Sequence, residues 1–231
     1  MAKYADDCYL LVPACNTSSL PQEMAHISDS AQRNGLKLNS SKTKELLVTR
    51  KSLPYTQYPP PIAGIDRVPE LVVLGVTLQR DIGISVHVQE LVAKGHQCLY
   101  ALKVLKAHGL TGAKLFSVCK ATLISKLTYA APSWWGFCST EDKIKLQAII
   151  RKPIRWEVLE ENAISFECLC AAADNNLFSS ITNNPHHVLT QLLSPLRSHS
   201  LRPRSHNFTL PTLTTLNSKN FFYRMLYKET Y

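Results

Sequence analysis

The hydrophobic pattern of the chain changes near residue 84, and this change is what most limits the fold. Before it, β-prone runs are short and end at turn residues or prolines, as in 71–78, which follows prolines at 59–61. After it, apolar residues recur every three to four positions, as on the buried face of a helix. The pattern predicts an α+β fold in which short antiparallel strands precede a helical region.

Local start and stop signals divide this pattern into individual elements. The helix predicted at 20–33 has Met24, Ile27 and Ala31 at helical spacing and ends at Asn34-Gly35. The predicted strands are 3–5, 8–12, 36–38, 43–49 and 71–78. The other predicted helices are 84–108, 111–127, 141–151, 165–173, 177–183 and 220–228.

Composition indicates a globular protein with an excess of positive charge. The chain has 231 residues, 45% of them apolar, and its 26 Lys and Arg against 17 Asp and Glu give a formal charge of +9. Such a balance favours a polyanionic partner, either nucleic acid or an anionic membrane surface, although many soluble proteins share it. Because no apolar run suits a membrane span or a signal peptide, we expect a nuclear or cytoplasmic protein that is not secreted.

The seven cysteines do not follow the spacing of a metal site. No Cys-x-x-Cys pair is present, and Cys168 and Cys170 have no second pair at zinc spacing. We therefore expect reduced thiols that serve as small apolar side chains. His186 and His187 have no cysteine or carboxylate at ligand spacing, and we interpret them as non-metal residues.

Two adjacent carboxylates, Asp6 and Asp7, interrupt an apolar run near the start of the chain. Between strands at 3–5 and 8–12 they would lie at the tip of a hairpin, where aspartate tolerates turn conformations. Turns favour Asp-Gly or Asn-Gly, however, and neighbouring carboxylates repel each other unless a cation lies beside them. A divalent ion such as Mg²⁺ would remove that repulsion, so a plain turn and a metal-binding turn are both open at this point.

Several motifs follow Tyr4-Ala5-Asp6-Asp7 in order along the chain. They are NGLKLNSSKTK at 34–44, LGVTL at 74–78, LTYAAPSWWG at 127–136, and the C-terminal segments 201–208 and 224–228. In this order they resemble the Y-x-D-D hairpin and later motifs of reverse transcriptases from LINE-type non-LTR retrotransposons, with a jockey- and chicken-repeat-like C-terminus. On this resemblance the chain is identified as the C-terminal part of such an RNA-directed DNA polymerase, a nucleotidyltransferase.

The resemblance implies catalytic roles for a few residues. Asp6 and Asp7 would bind the catalytic Mg²⁺, and Tyr4 would lie beside the primer terminus. Lys42 would protonate or neutralise the pyrophosphate that leaves the incoming dNTP. Lys44 is its rival for that role, and a solvated turn lysine is the alternative interpretation of Lys42.

Other residues are implied to contact nucleic acid. Leu74, Gly75 and Val76 would steady the primer strand through backbone contacts, unless they form an ordinary buried strand. In the helical region, a lysine-bearing helix face would contact phosphates; the alternative interpretation is a face that is merely solvated. The lysines of this face are Lys114, Lys120 and Lys126. Trp134 and Trp135 could stack on bases, but beside a Pro-Ser turn we expect them to anchor helix packing instead.

The resemblance also divides the chain into three regions. Residues 1–82 would be a truncated palm remnant, from the YADD hairpin to the LGV strand. Residues 83–152 would form a helical thumb, and 153–231 a helical and basic C-terminal tail. The implied partners are an RNA template and a DNA primer, without a membrane, and the implied cofactor is weakly bound Mg²⁺.

The family's metal site has a ligand that this chain does not match. These polymerases use a third aspartate on an upstream strand, whereas only five residues precede Asp6 here. We therefore expect the chain alone to be inactive as a polymerase, because few ligands and an open site weaken metal binding. Two alternatives stay open, namely a non-catalytic basic module that binds nucleic acid and the functionless product of a decayed element.

Overall fold

The structure, a computed structural model, describes residues 2–49, 58–159, 165–198 and 206–228. The chain divides into two compact units, Met1–Leu71 and Val72–Tyr231. Helices and short strands are both present, which is compatible with the α+β class predicted from the sequence. Pro54, Arg202, Arg204 and most of the C-terminal motif at 201–208 lie outside the described residues.

The first unit contains one helix and two pairs of short strands. β1 (Ala2–Tyr4) and β2 (Asp7–Tyr9) form an antiparallel hairpin, and α1 spans Leu20–Arg33 as predicted. β3 (Lys44–Leu46) pairs with β4 (Asp66–Val68) in parallel, although the sequence predicted antiparallel strands. Residues 36–38, predicted as a strand, have no regular structure, and no described residue of this unit is buried.

Polar side chains join β3 to β4. The Arg67 guanidinium donates to both carboxylate oxygens of Glu45, at 2.8 and 2.9 Å, and also to the carbonyls of Pro59 and Pro60. A guanidinium that meets a carboxylate in this bidentate way makes a strong and directional contact. Prolines have no N–H to donate but keep a carbonyl, so the described part of the loop before β4 acts as an acceptor for Arg67.

The second unit is mainly helical. β5 (Glu70–Val73), within which the division between the units falls, pairs with β6 (Val76–Gln79). The helices that follow are α2 (Ser85–Ala107), α3 (Gly112–Cys119), α4 (Ser125–Leu127), α5 (Ala131–Trp134), α6 (Thr140–Arg155), α7 (Phe166–Asn183) and α8 (Phe221–Leu226). One π turn, Lys120–Ile124, connects α3 to α4, so the helix predicted at 111–127 is present but not regular.

A hydrophobic core fills the space between these helices. α2 packs directly on α6, where the Ile149 side chain lies 3.1 Å from the position that a Cβ would occupy on Gly95, so that a larger residue there would require Ile149 to shift. Burying a Leu, Ile or Val side chain contributes about 1.5–3 kcal/mol, so this cluster is the main source of stability in the unit. Its largest fully buried side chains are Val88, Leu102, Leu115, Leu123, Leu127, Trp134, Leu146, Ile149, Ile150 and Phe166.

A buried ion pair ties α8 to α7 and to the turn after α5. The Arg224 guanidinium donates to both oxygens of the Asp174 carboxylate at 3.0 Å and lies 4.7 Å from the centre of the Trp135 ring. The Trp135 indole N–H donates to the same carboxylate at 2.8 Å. A Cβ on Gly136 would collide with Arg224, so glycine is needed there for space. We call these four residues the Arg224 joint.

Burial raises the pKa of the Asp174 carboxyl above its ordinary value, and the neighbouring Arg224 charge and the hydrogen bonds from Arg224 and Trp135 offset part of that rise.

The Arg224 joint also explains an incorrect prediction. The sequence predicted two helices, at 165–173 and 177–183, with residues 174–176 between them. The structure has one continuous α7, because Asp174 is held inside it by partners from α8 and the turn after α5.

Candidate functional site

The Tyr4-Ala5-Asp6-Asp7 segment forms the tip of the β1–β2 hairpin, as predicted, but the loop lies one residue earlier than the predicted Asp6-Asp7 turn. Tyr4 pairs with Asp7 across the strands, which leaves Ala5 and Asp6 as a two-residue loop. Ala5 has φ 49°, a left-handed conformation that tight hairpin loops normally give to glycine. The chain therefore holds an alanine in a strained conformation in order to bring the two aspartates to the end of the hairpin.

Both carboxylates of this hairpin are exposed, and so is the Tyr4 side chain, at 63%. The Tyr9 hydroxyl donates to Asp7 Oδ2 at 3.3 Å, which orients one of the carboxylates. Carboxylate oxygens are the donors that Mg²⁺ prefers. Within the described residues, however, no three His, Cys, Asp or Glu side chains gather as a metal-binding group, so Asp6 and Asp7 alone do not fit a complete Mg²⁺ site.

Lys42 lies in the turn that follows residue 39, and it is exposed. Its backbone N–H donates to the Asn39 side chain at 3.2 Å, and within the described residues its ammonium group makes no ion pair with Asp6 or Asp7. Lys44, the rival candidate, is paired with Asp66 at 2.6 Å, and the pKa of that carboxyl is lowered by the hydrogen bond and the charge. Of the two lysines, Lys42 has the ammonium group available for a ligand.

The predicted primer-contacting segment is a second tight hairpin, in the other unit. Leu74 and Gly75 form the loop between β5 and β6, with φ 47° and 85°. Both loop residues are exposed, whereas Val76 is 7% exposed and belongs to the core. The Tyr129 hydroxyl donates to the Leu74 carbonyl at 3.1 Å. Val76 is therefore part of a buried strand, whereas the Leu74–Gly75 loop is accessible to a partner.

The three lysines of the helical region, Lys114, Lys120 and Lys126, are all exposed. None of them forms an ion pair within the described residues, so their ammonium groups are available to phosphates. Residues six positions apart are rotated by about 240° on a regular helix, so the lysine-bearing face expected from the sequence would not be continuous. The π turn Lys120–Ile124 changes this rotation locally between the second and third lysines.

A longer acid-free stretch was missed by the search for single motifs. No Asp or Glu occurs between Glu90 and Glu141, in a part of the chain that runs from α2 to α6. This stretch contains six lysines, and each of them is exposed: Lys94, Lys103, Lys106, Lys114, Lys120 and Lys126. The feature can be seen in the sequence as a long stretch without acidic residues, which no short motif contains.

The two tryptophans are structural, as expected. Trp134 is fully buried, stacks on Phe166 with ring centres 6.1 Å apart, and donates its indole N–H to the Tyr129 carbonyl at 2.9 Å. Trp135 belongs to the Arg224 joint. The interpretation that these rings anchor helix packing is therefore confirmed.

Comparisons of the chain with protein-family models, with curated proteins and with solved structures gave no match. Among the described helices, none is long and apolar enough to cross a bilayer.

Proposed function

We propose that this chain is the C-terminal part of a LINE-type reverse transcriptase and that its second unit binds a duplex of RNA template and DNA primer. The observation that carries the proposal is the acid-free stretch, whose six lysines are all exposed and of which, among the described residues, Lys94 alone forms an ion pair, with Glu90 at 3.8 Å. Lysines on packed helices contact phosphates without reading sequence, which suits an enzyme that must move along any template.

The two hairpins, one at Asp6 and Asp7 in the first unit and one at Leu74 and Gly75 in the second, each add support of their own. The first one presents Asp6 and Asp7 at an exposed tip, and the second presents the Leu74–Gly75 loop, each at a strained non-glycine residue. Strained backbone persists where the surrounding structure holds it and is often found at functional sites. In this proposal the carboxylates belong to the Mg²⁺ site of the polymerase and Lys42 faces the leaving pyrophosphate, in the nucleus or the cytoplasm.

Binding of a labelled RNA–DNA hybrid, followed by fluorescence anisotropy across a salt series, tests the proposal. We expect affinity to fall steeply with salt, because each phosphate contact releases counterions. Changing Lys114, Lys120 and Lys126 to Gln should make the negative slope of log K against log salt shallower, by up to about 3. A matched triple, Lys37, Lys145 and Lys219 to Gln, removes the same charge from exposed lysines outside the stretch and should lower the slope less.

No binding by the wild-type chain, or an equal effect of the two triple variants, would contradict the proposal. Primer extension on a homopolymer template with Mg²⁺ and dNTP separates a polymerase from a binding module. We expect no incorporation by this chain alone, because the described residues provide only two adjacent carboxylates for the metal. That two-carboxylate set favours a second candidate function, a basic module that binds nucleic acid without chemistry.

A further inference from the structure

Three residues with left-handed backbone surround one hydrogen bond in the second unit. Leu74, Gly75 and Ala130 have φ of 47°, 85° and 48°. The bond runs between them, from the Tyr129 hydroxyl to the Leu74 carbonyl at 3.1 Å. Outside glycine, such φ values are uncommon, and for a bulky residue such as leucine they are outliers that need support from elsewhere.

The Leu74–Gly75 loop cannot rely on its own residues for that support. A two-residue hairpin loop with positive φ at both positions is strongly favoured by Asn-Gly or Asp-Gly, and leucine has no side-chain polar group to stabilise this conformation. Tyr129 provides this support, since its hydroxyl donates to the Leu74 carbonyl. Its ring also lies so close to Gly75 that an added Cβ would be 3.3 Å from Cε1, which favours glycine at that position.

Tyr129 is itself firmly anchored to the helical core. Its carbonyl accepts a hydrogen bond from the indole of Trp134, which is fully buried, and Leu127 on the preceding turn is also fully buried. Ala130 adopts its left-handed conformation directly after Tyr129 and so directs the chain into α5. The side chain of Tyr129 nevertheless stays 56% exposed, at the surface where the loop lies.

We infer that Tyr129 is a positioning residue that fixes the Leu74–Gly75 loop so that the loop backbone contacts the phosphates of a bound nucleic-acid strand. The inference rests on the proposed function. In a two-residue hairpin the loop N–H groups lie outside the strand ladder, and backbone N–H groups are common donors to phosphate. Lys126 is exposed and supplies a positive charge three residues before Tyr129 in the sequence.

The substitution Tyr129→Phe tests this role, because it removes the hydroxyl and keeps the ring. We expect amide hydrogen exchange in β6 to rise about fivefold, the equivalent of one hydrogen bond, with a comparable loss of affinity for the RNA–DNA hybrid. The salt slope should stay unchanged, because no charge is removed. Tyr100→Phe is the matched control, since Tyr100 is 72% exposed in the same unit, and it should change neither quantity.

A rescue experiment separates positioning from direct contact. Leu74→Asn in the Tyr129→Phe background should restore slow exchange and affinity together, because Asn-Gly favours this loop without help from Tyr129. If the tyrosine hydroxyl touched the nucleic acid itself, Leu74→Asn would not restore affinity, and the inference would be overturned. Leu74→Asn alone should bind at least as tightly as the wild type.

The possible failures can be told apart. Wild-type binding that Tyr129→Phe leaves unchanged overturns the role of Tyr129 and leaves the proposed function standing. Unchanged exchange in β6 likewise overturns the role. Absence of wild-type binding overturns the proposed function and the role of Tyr129 with it.

Discussion

At the residue scale, His87 is a polar side chain that is buried in the core with one hydrogen-bond partner. It is 3% exposed, its Nδ1 accepts the N–H of Thr77 at 3.3 Å, and its ring meets Trp134 edge-on at 5.0 Å. Because Nδ1 is an acceptor, the proton of the neutral ring is on Nε2, which has no hydrogen-bond partner within the described residues. Burial lowers the pKa of His87; Glu90 opposes this shift, and Lys94 adds to it.

We predict that acid destabilises the second unit through His87. A folded-state pKa below the unfolded value of 6.5 means that the stabilisation is complete above pH 6.5 and is lost as pH falls through the folded pKa. Denaturant unfolding at a series of pH values should show this loss. The loss of stability at low pH should be smaller in His87→Gln, because glutamine does not titrate and its side-chain oxygen can still accept from the Thr77 N–H. His108→Gln, at an exposed position, should keep the wild-type pH dependence.

At the element scale, α6 begins with a complete capping box. The Ser139 hydroxyl accepts from the Asp142 N–H at 3.1 Å, and the Asp142 carboxylate accepts from the Ser139 N–H at 3.3 Å. The same carboxylate, 3% exposed, also accepts from the Ser85 hydroxyl at 3.2 Å. One side chain therefore caps α6 and joins it to the first turn of α2, its principal packing partner.

Replacing Asp142 with alanine should destabilise the second unit by about 2 kcal/mol. The change removes a helix cap and also removes the carboxylate oxygen to which the Ser85 and Ser139 hydroxyls both donate, at 3.2 and 2.8 Å. Glu141→Ala removes the adjacent carboxylate from the same first turn at an exposed position, and we expect a change within about 0.5 kcal/mol. Free energies of unfolding from urea titration compare the two. Similar values for both variants would show that general charge at the helix start, and not the cap, is what stabilises α6.

Elements governed by local signals are the ones that the sequence predicts well. α1 has its predicted bounds because periodic apolar residues end at Asn34-Gly35, and the YADD hairpin forms because Asp suits a turn. α7 was divided in the prediction because the ion pair that holds Asp174 inside it comes from Arg224, far along the chain. In the candidate site, the sequence predicted one strand at 71–78, whereas the structure has two strands joined by the Leu74–Gly75 loop. The support of this loop by Tyr129 depends on a contact that no local pattern encodes.

At the scale of the whole molecule, buried side chains are unevenly distributed. Every buried residue among the described positions belongs to the second unit. The cysteines follow this division in part: Cys8 and Cys15 in the first unit are exposed, and so is Cys168, whereas Cys119 and Cys170 are buried. Burial raises the pKa of Cys119 to about 11 and of Cys138 to about 12, and it raises the pKa of Cys170 further.

We predict two classes of thiol in the native protein. Cys8, Cys15 and Cys168 should react quickly with a disulfide reagent, because the reactive thiolate needs access to solvent. Cys119, Cys138 and Cys170 should react only as the second unit unfolds. The pair Cys168→Ser and Cys170→Ser, two positions apart on α7, gives a matched comparison. The first should remove one fast equivalent and the second none, and fast labelling of Cys170 would contradict the burial of this face of α7.

The Arg224 joint has a consequence for how sequences related to this one should vary. A side chain larger than hydrogen at Gly136 and an arginine at 224 cannot occupy the same space. A lineage that keeps the arginine must therefore keep the glycine. A lineage that loses the arginine frees Asp174 to change but still keeps the glycine, because the backbone carbonyl of Lys219 would meet the same Cβ. Substitutions at Asp174 and Arg224 should therefore be inherited together, so that α7 and the C-terminal motif evolve as one character.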